Sequence, residues 1–216
     1  MSDATVFIVD DDPSVRRSVS RLVRSAGFEV KAFASPKQFL RQDLPQGPAC
    51  VLLDMCMEGL TGLDVQELLR QNDRHVPVVF LSGHGTVPMA TAGMKGGAED
   101  FLEKPFQPTD LIAVIRRALE RDTLSSTHRR EREALMLRYQ SMTPREQEVM
   151  GLVVTGLLNK QAAAELAISE KTIKVHRARV MEKMQVESLA ELVRIAERIG
   201  IFAPTPPATS SVAVLL

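Results

Sequence analysis

Cysteine is scarce here and poorly placed for crosslinking, with two in 216 residues. Cys50 and Cys56 bracket one apolar run. Six extended residues span about 20 Å, whereas bridged Cα atoms lie within about 7 Å, so an internal disulfide would need a sharp chain reversal. Both are read as small buried or half-buried residues, and only Cys56, close to an acidic cluster, leaves a redox role open. Long hydrophobic runs are missing as well. No apolar stretch approaches the roughly 20 residues of a membrane span, and no signal-peptide pattern opens the chain, so a cytoplasmic protein without membrane contact is expected. A His/Cys metal cage is also lacking: His84 has no second His or Cys at ligand spacing, which makes it a poor ligand or base. Net charge is absent because 27 basic residues match 27 acidic ones. The balance conceals an asymmetry. Residues 1–122 hold 14 Lys+Arg against 17 Asp+Glu, net −3, and residues 123–216 hold 13 against 10, net +3. An acidic control half followed by a basic binding half is the reading this suggests.

What is present begins with β-type runs at about 5–9, 29–33, 50–53, 78–81 and 100–102, alternating with helical patterns. This alternation is the mark of βαβ units and a parallel sheet. Asp12 and Pro13 open the first helix, Val15, Val19, Leu22 and Val23 form its apolar stripe, and Gly27 closes it. Ser35-Pro36 starts a second helix, and Thr61 with Val65, Leu68 and Leu69 marks a third. A fourth, near 87–94, is weak because Gly93, Gly96 and Gly97 crowd its end.

Two of the strand-like runs end in acid: Val6-Phe7-Ile8-Val9 leads into Asp10-Asp11-Asp12, and Val51-Leu52-Leu53 into Asp54. If those strands are neighbours in a parallel sheet, their carboxyl ends converge on the crevice where such sheets bind ligands. Carboxylates that close need a cation to stay ionised, and a hard, oxygen-seeking one such as Mg²⁺ suits them. Phosphoryl transfer is the chemistry such a site supports. A carboxylate attacking an anionic phosphoryl group needs the transferring oxygens neutralised, which a metal and an ammonium can do from opposite sides, and Lys104 fits as that ammonium. Ser82, at the end of the fourth run, can donate to a phosphoryl oxygen. Asp12 reads as a helix N-cap ahead of Pro13 rather than as a third ligand.

From Leu111 the pattern is helical and charged through Arg138, with Ser125-Ser126-Thr127 expected to interrupt it; a solvated linker helix and a short coiled coil both remain open. Thr143-Pro144-Arg145-Glu146 then has capping-box form ahead of Val149, Leu152 and Val153. Asn159 is expected to cap a short helix through Leu166, Ala167-Ile168 to turn, and Ser169 to cap a longer helix over 170–184. Helix, short turn and basic helix is a DNA-reading arrangement. On that last helix Ile173, His176, Val180 and Met184 form the inward stripe, whereas Lys171, Lys174, Val175 and Ala178 form the opposite one, with Thr172 at its start. Arg177, Arg179 and Lys183 flank it and suit phosphate contacts. A final apolar stripe, Leu189, Leu192, Val193, Ala196 and Ile199, is wider than one small domain requires. Residues from 203 onward, rich in Pro, Ser and Thr, are expected to be disordered.

The register Asp10-Asp11, Asp54, Ser82-Gly83-His84-Gly85, Phe101 and Lys104-Pro105 resembles the receiver domain of two-component response regulators over residues 1–120. That resemblance implies that Asp54 is the phosphoacceptor, that Asp10, Asp11, Asp54 and the Cys56 backbone carbonyl hold Mg²⁺, that Phe101 moves inward behind Ser82, and that Lys104-Pro105 is cis. The half from Ser141 to about Ile199 resembles the LuxR-type helix-turn-helix domain, and the two together resemble the FixJ branch of response regulators. Lys174 and Val175 match groove-reading positions there; Ala178 and Arg179 depart from residues frequent in relatives, so no base preference carries over. By the same resemblance part of the final helix pairs with a second copy.

The expected architecture is therefore α/β. A five-stranded parallel (βα)5 flavodoxin-like receiver spans residues 1–122, followed by a linker helix (123–140), a four-helix DNA-binding domain (141–202) and a disordered tail (203–216). Expected partners are a sensor histidine kinase, double-stranded promoter DNA, a second copy upon phosphorylation, and RNA polymerase. Glu58 stands where the family usually has Pro, which keeps open a phosphorylation-independent or ligand-sensing receiver. An aspartyl-phosphate phosphatase is a further alternative, although it would want an acid two residues after Asp54, where Cys56 stands.

Overall fold

Near-continuous apolar runs give the three central strands two buried faces, and the chain uses both. In the computed structural model, which describes residues 4–45, 47–83 and 87–201, β1 (Thr5–Val9), β2 (Glu29–Phe33), β3 (Ala49–Asp54), β4 (Val78–Ser82) and β5 (Asp100–Glu103) pair in parallel. Their order is β2-β1-β3-β4-β5. Val6, Ile8, Cys50, Leu52, Val79 and Leu81 point to one side and Phe7, Val9, Val51, Leu53 and Phe80 to the other. Helices α1 (Pro13–Ser25) and α5 (Pro108–Gln140) cover the first face through Val19, Val23, Leu111 and Ile115. Helices α2 (Pro36–Leu40) and α3 (Gly62–Gln71) cover the second through Phe39, Val65 and Leu69. Each fully buried Phe or Leu of this kind contributes about 1.5–3 kcal/mol.

The local start signals are realised in side-chain caps. Asp12 accepts from the Ser14 and Val15 amides, Ser35 from Gln38, and Thr61 forms a reciprocal box with Asp64. Helix α4 (Val87–Lys95) forms where the weak pattern placed it, and Gly93 has a packing role there: a Cβ on it would come within 2.7 Å of the Phe80 ring. His84 and the tail from 203 lie outside the described residues.

Two sequence expectations are corrected in α5. The helix runs unbroken through Ser125-Ser126-Thr127, because Thr123, Ser126 and Thr127 turn their hydroxyls back to carbonyls of the preceding turn. Its Leu135, Met136 and Tyr139 are not solvated linker residues but join the core of the second unit.

The chain divides into two units at Thr127/His128. In the second, α6 (Pro144–Val154), α7 (Asn159–Glu165), α8 (Glu170–Met184) and α9 (Leu189–Ile199) enclose Val149, Met150, Val153, Ile173, Val180, Met184, Leu192 and Ile199. Asn159 is not the cap of α7; Leu158 holds that position, its amide donating to Gln161 Oε1 at 2.8 Å. Asn159 instead accepts from Arg177 of α8. The turn into α8 places Ala167 at φ 53°, a left-handed conformation that closes the α7–α8 corner. On α9 Leu192, Ala196 and Ile199 are buried and Leu189 packs on the same core, whereas Val193 is half-buried and lies outside that core.

Candidate functional site

Strand register builds the acidic centre. Val9 pairs with Leu53, so Asp10 and Asp54 leave adjacent strands at the same level, and Asp54 pairs with Leu81 immediately before Ser82. Ser82 pairs with Glu103, immediately before Lys104, whose amide donates to the Ser82 carbonyl at 2.7 Å. In the order β2-β1-β3 the strand order reverses at β1/β3 while the strands stay parallel, which is the switch point where parallel sheets bind ligands. Gly62 brings the start of α3 against this point: its amide donates to the Met55 carbonyl at 3.0 Å, and a Cβ there would lie 2.8 Å from the Asp54 carbonyl oxygen.

Asp10, Asp54 and Ser82 are buried, whereas Asp11 is exposed. Lys104 Nζ donates to Asp10 Oδ2 at 2.7 Å and to Asp54 Oδ1 at 2.8 Å. The other Asp10 oxygen accepts from the Asp12 amide at 2.9 Å. Burial pushes the Asp54 carboxyl above its ordinary range; Lys104 opposes this, and the fields of Asp10 and Asp11 add to it. For Lys104, burial acts downward, but its bonds to Asp10 and Asp54 outweigh it and hold the ammonium charged. One ammonium thus serves two carboxylates, leaving the centre negative by at least one charge. Phe101 is half-buried against the core beneath this edge, and the Lys104-Pro105 bond is cis.

Among the described residues, no group of three or more His, Cys, Asp or Glu side chains forms a metal cage. Mg²⁺ does not need one, since it keeps several waters and takes one or two carboxylates with other oxygens. Two buried carboxylates that share a single ammonium fit such an ion.

Cys56 differs from expectation: it is exposed rather than half-buried, while Cys50 is buried with its thiol pushed up by burial and the field of Asp122. Glu58 also faces solvent. Sequence reasoning missed one support of the centre and one anchor at the far end of β3. Arg16 donates to the Asp10 carbonyl at 2.7 Å and the Asp11 carbonyl at 3.3 Å, and buried Asp122 accepts from the Ala49 amide at 2.9 Å, anchoring the start of β3. Neither has a local signal, because each depends on a contact made only on folding.

The basic helix α8 separates its candidate residues into two groups. Lys171, Lys174, Val175, Ala178 and Arg179 are exposed, and Val175 is 46% exposed, an apolar side chain that the core does not claim. The others have internal partners. Thr172 is bonded to the Ser169 cap, Arg177 to Asn159 Oδ1 at 3.1 Å, and Lys183 Nζ to Glu146 Oε2 at 2.6 Å and the Ser141 carbonyl at 3.1 Å. His176 is half-buried, with Nδ1 lacking a partner.

A parallel sheet with acids at its switch point, followed by a helix-turn-helix unit, defines a phosphoacceptor-type control module joined to a DNA reader. Family models agree: residues 6–116 match the response regulator receiver domain and residues 140–196 the bacterial regulatory proteins of the luxR family. The chain belongs to the two-component response regulators, in the FixJ branch that joins a receiver to a LuxR-type DNA-binding domain. It is 46% identical to nodulation protein W of Bradyrhizobium diazoefficiens, over 93% of this chain and 88% of that one. It is 45% identical to the tetrathionate response regulatory protein TtrR of Salmonella typhimurium, over 91% and 94%. Among solved structures, that of response regulator StyR superposes with a TM-score of 0.79 at 43% identity, over 91% of this chain and 100% of that chain. Full-length FixJ from B. japonicum gives 0.56 at 37%, over 94% and 100%.

Proposed function

We propose that this DNA-binding regulator is switched by phosphorylation of Asp54, with a sensor histidine kinase as donor. The observation that carries the reading is the Lys104 ammonium held between Asp10 and Asp54 at the switch point. Asp54 is the nucleophile. Lys104 neutralises the incoming phosphoryl oxygens from one side, and its bond to Asp10 positions it there. Asp10, Asp11, Asp54 and the Cys56 carbonyl would hold Mg²⁺, which supplies charge neutralisation from the other side. Ser82 donates to the new phosphoryl group, and Phe101 with the fourth helix repacks behind it. The altered face pairs two copies and sets two α8 helices about one DNA turn apart on promoter DNA, where RNA polymerase is met. Lys171, Lys174, Val175, Ala178 and Arg179 carry the groove and phosphate contacts. Thr172, Arg177 and Lys183 hold the helix in place, and contribute less to DNA than their positions in the sequence suggested.

The domain limits we adopt are a receiver over 1–122, a connector helix over 123–140 whose last turns pack into the core of the second unit, and a DNA-binding domain over 141–202. The protein accepts a phosphoryl group and is not a dedicated enzyme; Cys56, where a phosphatase would carry a second acid, supports this. Among the described residues no helix is long and apolar enough to cross a membrane, which supports a cytoplasmic setting.

Acetyl [³²P]phosphate with Mg²⁺ should label the wild type and leave Asp54→Asn unlabelled. Labelled protein should elute as a dimer and retain promoter DNA at lower concentration. Undiminished labelling of Asp54→Asn, or DNA retention indifferent to labelling, would sink the reading.

A further inference from the structure

One face of α1 carries arginines that no carboxylate among the described residues neutralises. Arg17, Arg21 and Arg24 follow one another at helical spacing, and Arg16 lies beside them. With Ser20 and Ala32 of β2 they line an open cleft of about 470 Å³, within the range of small-molecule sites. No carboxylate among the described residues pairs with any of these four arginines. Among the described residues Arg17 reaches only the Ser14 hydroxyl, at 3.4 Å, and Arg16 only the carbonyls of Asp10 and Asp11. Like charges one helical turn apart repel, so this arrangement weakens α1 unless an anion relieves it. Guanidinium forks match phosphate oxygens in pairs. Ser20, buried at 5% exposure, brings a hydroxyl to the same wall.

We propose that this cleft binds a small ligand bearing adjacent phosphate groups, either a nucleoside polyphosphate or a bare inorganic polyphosphate. The cleft volume suits a small ligand, and residues 17 to 24 of a helix span only about 10 Å, a short run for a duplex or an extended acidic surface. Arg16 links the cleft to the acidic centre. Its guanidinium holds the carbonyls of the two residues that begin the acidic loop, so a ligand that redirects it changes how Asp10 and Asp11 are presented. This second part rests on Asp54 being the phosphoacceptor; binding itself does not.

Calorimetry on the full-length protein in EDTA, with inorganic triphosphate, ATP and adenosine as probes, tests binding apart from any metal. Triphosphate and ATP should bind and adenosine should not, and the ATP-to-triphosphate affinity ratio tells which source the site prefers. Combined Arg17→Ala, Arg21→Ala and Arg24→Ala should weaken binding by at least about 30-fold, while Asp54→Asn should retain it. No heat from either phosphate probe, or unchanged affinity in a triple variant with a native circular dichroism spectrum, overturns the site. Efficient displacement of triphosphate by polyglutamate does the same, by assigning the arginines to an acidic protein surface. At constant free Mg²⁺, saturating triphosphate should change the initial rate of Asp54 labelling about fivefold in the wild type and not in Arg16→Ala. Binding without that change overturns the link alone. Failure of all labelling strikes the phosphoacceptor reading and leaves the cleft standing.

Discussion

Two lysines, one in each unit, reach buried carboxylates, and the difference between them separates the proposed phosphoacceptor site from a structural brace. Lys183 meets one acid: Glu146, 2% exposed at its side chain, which also accepts from the Thr143 amide at 2.9 Å. The bond from Lys183, with that of Thr143, holds the Glu146 carboxyl down at about 2. Charge is balanced and the pair closes the start of α6 onto α8. Lys104 meets two acids, with Asp11 close enough to add its field, and Asp54 is driven upward instead. The first arrangement satisfies every partner and the second leaves a deficit of positive charge. A fold keeps such a deficit where a cation or a reaction is to fill it.

The largest test of this contrast is Lys104→Ala. Removing the ammonium proposed to face the transferring oxygens should slow acetyl phosphate labelling of Asp54 by about 100-fold, measured as an initial rate in Mg²⁺. A loss below about fivefold would make Lys104 a brace like Lys183.

Next is Glu146→Gln, expected to cost about 2 kcal/mol, less than a fully buried pair because Lys183 keeps one-third of its side-chain exposure. Tyr139, the single tyrosine and part of the second core, reports this in urea titrations by its fluorescence. The folded value of about 2 lies below the ordinary 4.5, so the wild type holds this contribution in full above 4.5 and loses it as pH falls toward 2. The variant should show no such loss from this position. A pH profile shared by both proteins would assign the acid sensitivity elsewhere.

Asp54→Asn is smaller and of opposite sign. An acid raised above its ordinary 3.8 binds protons better folded than unfolded, so its ionisation costs stability as pH rises through that value. Removing the charge should stabilise the first unit by about 1 kcal/mol at pH 7 in EDTA, followed by circular dichroism. The gain should vanish well below pH 3.8, where Asp54 is neutral in both states. Destabilisation at pH 7 would mean that the Lys104 bond outweighs the crowding of the acids.

Glu58→Gln should matter least. Its side chain faces solvent, so labelling should change less than about twofold. A larger change would return Glu58 to the site and revive a receiver with altered control.

Much of the acidic centre was legible because Asp10, Asp54 and Ser82 sit where a continuous apolar run meets a polar residue, whereas the place of Lys104 came with the family resemblance. The caps at Asp12, Ser35, Thr61 and Thr143 were legible for a similar reason, since a cap acts within three residues. What failed did so where local and distant contacts compete. Ser125-Ser126-Thr127 looks like a break, yet hydroxyls that return to the backbone let α5 continue. Asn159 looks like a cap, yet Arg177, 18 residues away, claims its side chain. Lys183 looked free for DNA until Glu146 took it.

Order along the chain therefore determined the strand-and-helix alternation, the acids at two strand ends and the basic second helix, all set by neighbours within a turn or a strand. Only the tertiary structure decided which charges are paired. An ammonium reaches about 3 Å and no further, and which carboxylate lies within that reach depends on strands and helices brought together from 37 to 94 residues apart.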